Sequence, residues 1–254
     1  MAAFRTDQSS TCRRLAAVAF AMVALAATGA ARSDATPGHG TWGVAYAPAE
    51  RSAQRAAPAI VYLHGMWASP EDSCSYFARG ATPFGFLVCP RGNAPLGQGR
   101  MWAGTYATVA PNVHAALDAA ATLAPRPLDR SGNGTLIGYS NGAYFAVEIA
   151  CAERGRWTGL VLLSMHLELE ASRLKRAGVR RVLLGAGERD GARRSMEAMA
   201  ERLRGEGLAA RFMSLGPGGH EFPADMDERM KAALVWTRGE HAPGCGSDSC
   251  AESE

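Results

Sequence analysis

Five short apolar runs, separated by longer stretches of helical periodicity, constrain this chain more than any other feature. They read AIVYLHG (59–65), FGFLVCP (84–90), TLIGYS (135–140), LVLLSM (160–165) and RVLLGAG (181–187), with RFMSLG (211–216) as a sixth. Near-continuous hydrophobicity over so few residues is what a parallel strand covered on both faces requires. Between them lie amphipathic stretches: PNVHAALDAAATLA (111–124), NGAYFAVEIACAERG (141–155), ARRSMEAMAERLRGEG (192–207) and DMDERMKAALVWTRG (225–239). The third sets Met196, Met199, Ala200 and Leu203 at helical spacing, and Gly205 and Gly207 close it. Strand and helix in alternation predict an α/β protein with a doubly wound, mostly parallel sheet flanked by helices. No internal repeat or linker divides it.

The N-terminus reads as an export signal over residues 1–31. Arg13 and Arg14 precede an uncharged, Ala-rich run from Leu15 to Ala31, with Gly29, Ala30 and Ala31 as a cleavage site. That run is short and alanine-rich for a permanent anchor, which needs roughly 20 strongly apolar residues, so no stable membrane span is expected after cleavage. About 220 residues then remain, enough for one α/β domain, set at 41–240, and too few for two. Residues 241–254 read as a cysteine-containing tail. The expected location is secreted or periplasmic.

An oxidising compartment permits disulfides. Cys12 leaves with the leader, and Cys74, Cys89, Cys151, Cys245 and Cys250 remain. Cys74 with Cys89 spans a helix-to-strand segment, Cys245 and Cys250 bracket a Gly/Ser turn, and Cys151 is left as a buried thiol; sequence alone does not establish the pairing. No Cys-x-x-Cys or Cys/His cluster suggests a metal. The formal charge is +3, and of 27 basic residues only Lys175 and Lys231 are lysines. The arginines are scattered rather than clustered, which argues against a nucleic-acid partner.

GYSNGAYFA (138–146) carries the pattern Gly-x-Ser-x-Gly around Ser140. In a chain with 29 glycines, chance supplies roughly 0.2 such matches, so context decides. Here the context is specific, because TLIGYS reads as a strand and NGAYFAVEIA as a helix. A strand-to-helix elbow strains the serine backbone and aims its hydroxyl beyond the carboxyl edge of the sheet; Gly138 and Gly142 would leave room for the neighbouring backbone.

A serine hydroxyl needs a base. His39 and His241 lie in terminal segments and His114 inside a helical pattern. His220, on the glycine-rich loop between the last strand and the last helix, can reach the elbow. An acid must then orient the imidazole. Asp190 in GERD stands just past RVLLGAG, with Glu188 as competitor, and the loop position favours Asp190. The chain order is then Ser, Asp, His. Two backbone amides must hold an oxyanion: Asn141, directly after the nucleophile at a helix N-terminus, and Met66, after the turn-permitting Gly65. His64 reads as a structural hydrogen-bonding residue.

LHGMW, GYSNGA, GERD and PGGHEF, in that order and spacing, resemble the α/β-hydrolase superfamily, and most closely its small lidless carboxylesterases of the phospholipase/carboxylesterase and dienelactone-hydrolase-like groups. The likeness covers about residues 57 to 237. It implies a Ser140–Asp190–His220 triad with Met66 and Asn141 as oxyanion donors, acting on an ester or thioester carbonyl through an acyl-enzyme, with no cofactor. Dienelactone hydrolases proper use a cysteine nucleophile, so Ser140 does not support that substrate. Fewer than twenty residues separate Met165 from Arg181, leaving no room for a large helical cap. The expected pocket is open, suits small or polymer-borne esters, and is walled by Trp67, Trp102, Tyr144, Met165 and Phe222. His166, at another strand end, either lines it or is a surface polar residue. A serine peptidase on the same fold and a non-catalytic binding protein are the alternatives. The natural ester and the oligomeric state are not legible.

Overall fold

Apolar runs covered on both faces become the centre of a nine-stranded sheet in the computed structural model, which describes residues 37–239 apart from 49–54, 125 and 167. The strands are β1 (Gly38–Gly40), β2 (Gly43–Tyr46), β3 (Ala57–Leu63), β4 (Phe86–Pro90), β5 (Ala94–Leu96), β6 (Gly99–Met101), β7 (Leu128–Asp129), β8 (Gly134–Tyr139), β9 (Trp157–Leu163), β10 (Arg181–Ala186) and β11 (Ala209–Ser214). The helices are α1 (Pro70–Cys74), α2 (Ala78–Ala81), α3 (Tyr106–Ala120), α4 (Asn141–Ala152), α5 (Ala171–Ala177), α6 (Arg193–Gly205) and α7 (Met226–Arg238). The order across the sheet is β1-β2-β4-β3-β8-β9-β10-β11, with β7 on the start of β3 and β5–β6 a separate hairpin. From β4 through β11 every pairing is parallel, while β1–β2 and β2–β4 are antiparallel.

The period of two within each strand divides the core into two layers. Val61 and Leu63 of β3, Leu160 and Leu162 of β9, and Val182 and Leu184 of β10 pack on one face with α3, α4, α5 and α6. Ile60, Tyr62, Val161, Leu163 and Leu183 pack on the other with α1, α2 and α7. Each fully buried Val, Leu or Ile contributes about 1.5–3 kcal/mol. The helical face read from Met196, Met199, Ala200 and Leu203 is the buried face of α6.

Several elements lie outside the sequence reading. The sheet starts at Gly38, ahead of the expected boundary at residue 41. α3 starts at Tyr106 rather than Pro111, because Thr105 and Thr108 form a reciprocal cap there; Pro111 in the second turn forgoes one bond to the Ala107 carbonyl. Among the described residues the seven-residue α5 is the one helix between β9 and β10, too short to form a large helical cap. Cys74 and Cys89 form a disulfide across 15 residues, tying α1 to β4; a loop of that length contributes about 3 kcal/mol in the chain-entropy account. Cys151 is a free, half-buried thiol rather than a fully buried one. The expected leader, the tail and the Cys245–Cys250 pair lie outside the described residues. Among the described residues no helix is long and apolar enough to cross a membrane.

Candidate active site

β8 runs into α4 through a single residue, Ser140, with φ 51° and ψ −119°. A non-glycine residue in this region is strained, and such strain collects at functional sites. The flanking glycines show why the turn is possible. A Cβ on Gly138 would lie 2.4 Å from Ala143 Cα, and one on Gly142 would lie 2.1 Å from the Leu63 carbonyl oxygen. Ser140 is the N-cap of α4, yet its side chain makes no capping bond to the helix amides. Its own amide donates to the Leu163 carbonyl at 2.8 Å, which fastens the elbow to β9.

The loops after β10 and β11 run side by side. Leu215 N donates to Ala186 O at 2.9 Å, Glu188 N to Gly216 O at 2.8 Å and Arg189 N to Gly218 O at 2.9 Å. Gly187 is needed here, since a Cβ would come within 2.4 Å of the Gly218 carbonyl oxygen. This ladder places His220 Nδ1 3.1 Å from Asp190 Oδ2. Asp190 is buried, and its Oδ1 accepts from Ala192 N at 2.9 Å. Burial alone would raise its pKa. The Ala192 amide, the Ser164 hydroxyl and His220 outweigh that and hold the carboxyl below its ordinary value. Glu188, the competing acid, is exposed. The His220 ring lies 5.1 Å from the ring of Tyr139, the residue before Ser140. Elbow, imidazole and buried carboxylate therefore share one end of the sheet.

The loop after β3 approaches from the opposite side. A Cβ on Gly65 would lie 3.4 Å from Ser140 Cβ, so the Gly65–Met66 turn runs directly beside the nucleophile candidate. His64 is fully buried beneath it. Its Nε2 accepts from Gly92 N at 3.0 Å, which leaves the proton on Nδ1, and that N–H donates to Gly65 O at 2.7 Å. Burial lowers its pKa, so the ring is held neutral, and the two hydrogen bonds select the tautomer. His64 is thus the structural residue expected from sequence. Asn141 opens α4, and the amide of a first helical residue has no intrahelical acceptor.

No protein-family model matches the sequence, and no curated protein matches it. Solved structures do. The substrate-bound fluorophosphonate-binding serine hydrolase F of Staphylococcus aureus aligns at 16% identity with a TM-score of 0.57, over 80% of this chain and 97% of that one. S-formylglutathione hydrolase from the same organism aligns at 16% identity and TM-score 0.55, over 82% and 98% of the two chains. A carboxylesterase from Mesorhizobium loti aligns at 21% identity and TM-score 0.51, over 73% and 90%. The chain has the α/β-hydrolase fold.

Within that fold, two of the expected pocket residues prove to be core. Trp102 is 1% exposed and cannot line an open pocket. Its amide donates to Asn141 Oδ1 at 2.8 Å and its indole N–H to His64 O at 3.1 Å, so it stitches the loop after β3 to the elbow. Met165 is 3% exposed and packs in the layer with α6, its amide 3.5 Å from Met196 Sδ. Trp67 is exposed on the loop beside Ser140. Phe222 is half-buried and packs 4.6 Å ring to ring from Tyr139. Tyr144 is exposed on the first turn of α4 and donates its hydroxyl to the carbonyl of the exposed His166 at 2.7 Å.

Sequence reasoning misses Ser164 and Tyr139. Ser164 ends β9 at φ 53°, is 3% exposed, and its Oγ has no hydrogen-bond partner within normal reach, yet it stands close enough to Asp190 to favour the charged carboxylate. Burial drives the Tyr139 phenol upward, with Asp190 adding to the shift, so this hydroxyl stays neutral beside the acid. Apolar character in TLIGYS and LVLLSM marks both positions as strand ends, but nothing local signals their approach to a carboxylate some 26 or more residues away in sequence.

Proposed function

We propose that this protein is an exported serine hydrolase that cleaves carboxylic esters through Ser140, His220 and Asp190. One observation carries the reading: a strained Ser140 stands at a strand-to-helix elbow, at the same sheet edge as a histidine bonded to a buried aspartate. Ser140 Oγ attacks the carbonyl carbon as His220 Nε2 takes its proton, while Asp190 holds Nδ1–H and so fixes the tautomer. The oxyanion lies against the amides of Met66 and Asn141, the second reinforced by the positive end of α4. The alcohol leaves with the proton from His220. Water then adds to the acyl-enzyme with His220 again as base, releasing the carboxylic acid and restoring Ser140.

Support for export comes from the Ala-rich leader behind Arg13 and Arg14 and from the Cys74–Cys89 disulfide, which belongs to an oxidising compartment. The open edge left by the short α5 suits small or polymer-borne esters. The test pairs fluorophosphonate labelling with p-nitrophenyl acetate and peptide hydrolysis. Ester turnover with labelling at Ser140 is expected. Absence of labelling in folded wild-type protein would remove the enzyme reading, and cleavage of the peptide alone would make it a peptidase.

A further inference from the structure

Among the described residues four large apolar side chains are exposed: Met66, Trp67, Tyr76 and Tyr144. Three lie on the segments flanking the elbow, and the fourth joins them through ring contacts. Met66 and Trp67 form the loop beside Ser140, Tyr144 lies four residues beyond Ser140 on α4, and Tyr76 packs 5.5 Å from Phe222, which in turn lies against Tyr139. Trp67 is the most exposed of them at 66%, and it takes a left-handed backbone at φ 58°. For a bulky aromatic residue that conformation is an outlier, and an indole left in water forgoes a large burial gain. Neither is dictated by packing of the core.

The strain is held in place by the β5–β6 hairpin. Gly99 packs so closely on Trp67 that a Cβ there would lie 2.1 Å from the Trp67 carbonyl oxygen, Arg100 N donates to Ala68 O at 3.1 Å, and a Cβ on Gly97 would meet the indole Cδ1 at 3.9 Å. The same hairpin leads into Trp102, which is bonded to Asn141 and His64. The loop carrying the indole is therefore registered to the nucleophile through a short chain of hydrogen bonds. We propose that Trp67 is a stacking platform that selects esters carrying an aromatic ring next to the scissile carbonyl, an assignment that rests on the ester-hydrolase reading above. A flat, pre-positioned indole offers an offset stack at little entropic cost. A simple acetyl ester of a short alcohol makes no use of it.

The test compares kcat/KM on matched pairs in which only ring aromaticity changes: benzyl against cyclohexylmethyl acetate for the alcohol side, and methyl phenylacetate against methyl cyclohexylacetate for the acyl side. Wild type, Trp67→Tyr, Trp67→Ala and Trp67→Gly are assayed together. In at least one pair the wild type favours the aromatic ester. That preference falls about three- to tenfold in Trp67→Ala and Trp67→Gly and is largely kept in Trp67→Tyr. The glycine variant accepts the left-handed backbone, which separates loss of the ring from distortion of the loop. An aromatic-to-saturated ratio that is the same in all four proteins overturns the platform while the esterase stands. Wild-type protein that hydrolyses none of the four esters, and takes no fluorophosphonate label, overturns the ester-hydrolase reading itself. A greater preference for an O-acetyl hexoside than for benzyl acetate, lost with the indole, overturns the aromatic assignment.

Discussion

Ser140 comes directly after β8 and Ser164 directly after β9, neighbouring strands of the parallel sheet, and both take a left-handed backbone, at φ 51° and 53°. Both amides reach sideways to the end of the next strand, Ser140 N to Leu163 O and Ser164 N to Gly185 O, each at 2.8 Å. Beyond the two serines the chain takes different courses. α4 begins at once after Ser140, which leaves this residue half-exposed at a helix N-terminus, next to the Tyr139 ring that packs against His220. After Ser164 the next described helix begins only at Ala171, and Ser164 is buried, close enough to Asp190 to favour its charge. Strain at the strand end is thus a property of how this sheet terminates. What differs between the two serines is exposure and the helix that follows the first; on the proposed reading those differences separate a nucleophile from a supporting residue.

The sharpest way to break this contrast is the pair Ser140→Ala and Ser164→Ala. Ser140→Ala abolishes fluorophosphonate labelling and lowers kcat by about 10⁵-fold or more, whereas Ser164→Ala still labels; labelling lost in the second instead of the first would exchange their roles. Next in size is Asp190→Asn, for which a fall in kcat of roughly 10³- to 10⁴-fold is expected because the neutral amide no longer enforces the His220 tautomer. Glu188→Gln, on an exposed side chain, serves as the control in the same steady-state assay.

Ser164→Ala itself should cost about 1 kcal/mol of support for the Asp190 charge, a three- to tenfold drop in kcat with KM little changed. The Asp190 pKa itself should move upward, since a group that favours the carboxylate is removed, and a carboxyl titration by NMR reads that shift. An unshifted Asp190 titration would make Ser164 a packing residue only.

The smallest expected effect is the pH dependence of stability. The His64 pKa lies below its ordinary 6.5 in the folded chain, so the unfolded chain takes up the proton first. That contribution is complete above about pH 6.5 and is lost progressively as the pH falls below it. Asp190, also depressed, adds a second loss only as the pH falls below its ordinary 3.8. Thermal melts from pH 8 to pH 5 should show Tm falling in the wild type and a flatter profile in His64→Gln. Parallel profiles would mean that His64 protonation is not what the fold resists.

Local patterns carried much of this protein. Six apolar runs of strand length, with helical periodicity between them, are enough to dictate a parallel sheet with two covered faces, because burial of each strand's alternate side chains demands a layer on either side. The placement of Ser140, Asp190 and His220 beyond strand ends was legible for a related reason: a loop leaving the carboxyl end of a parallel strand must cross the same edge of the sheet. Trp102 and Met165 misled, since an aromatic or thioether side chain near a strand end reads the same whether it faces solvent or core. The bonds from Trp102 to His64 and Asn141 span 38 and 39 residues, and the one from Gly92 to His64 spans 28. No local periodicity encodes such contacts. They arise only when the β5–β6 hairpin folds back over the loop after β3, and with them comes the strained, outward-facing Trp67. Strand and helix periodicity is enough to bring these residues to the sheet edge; contacts between distant segments set which of them face the solvent and which hold the others in place.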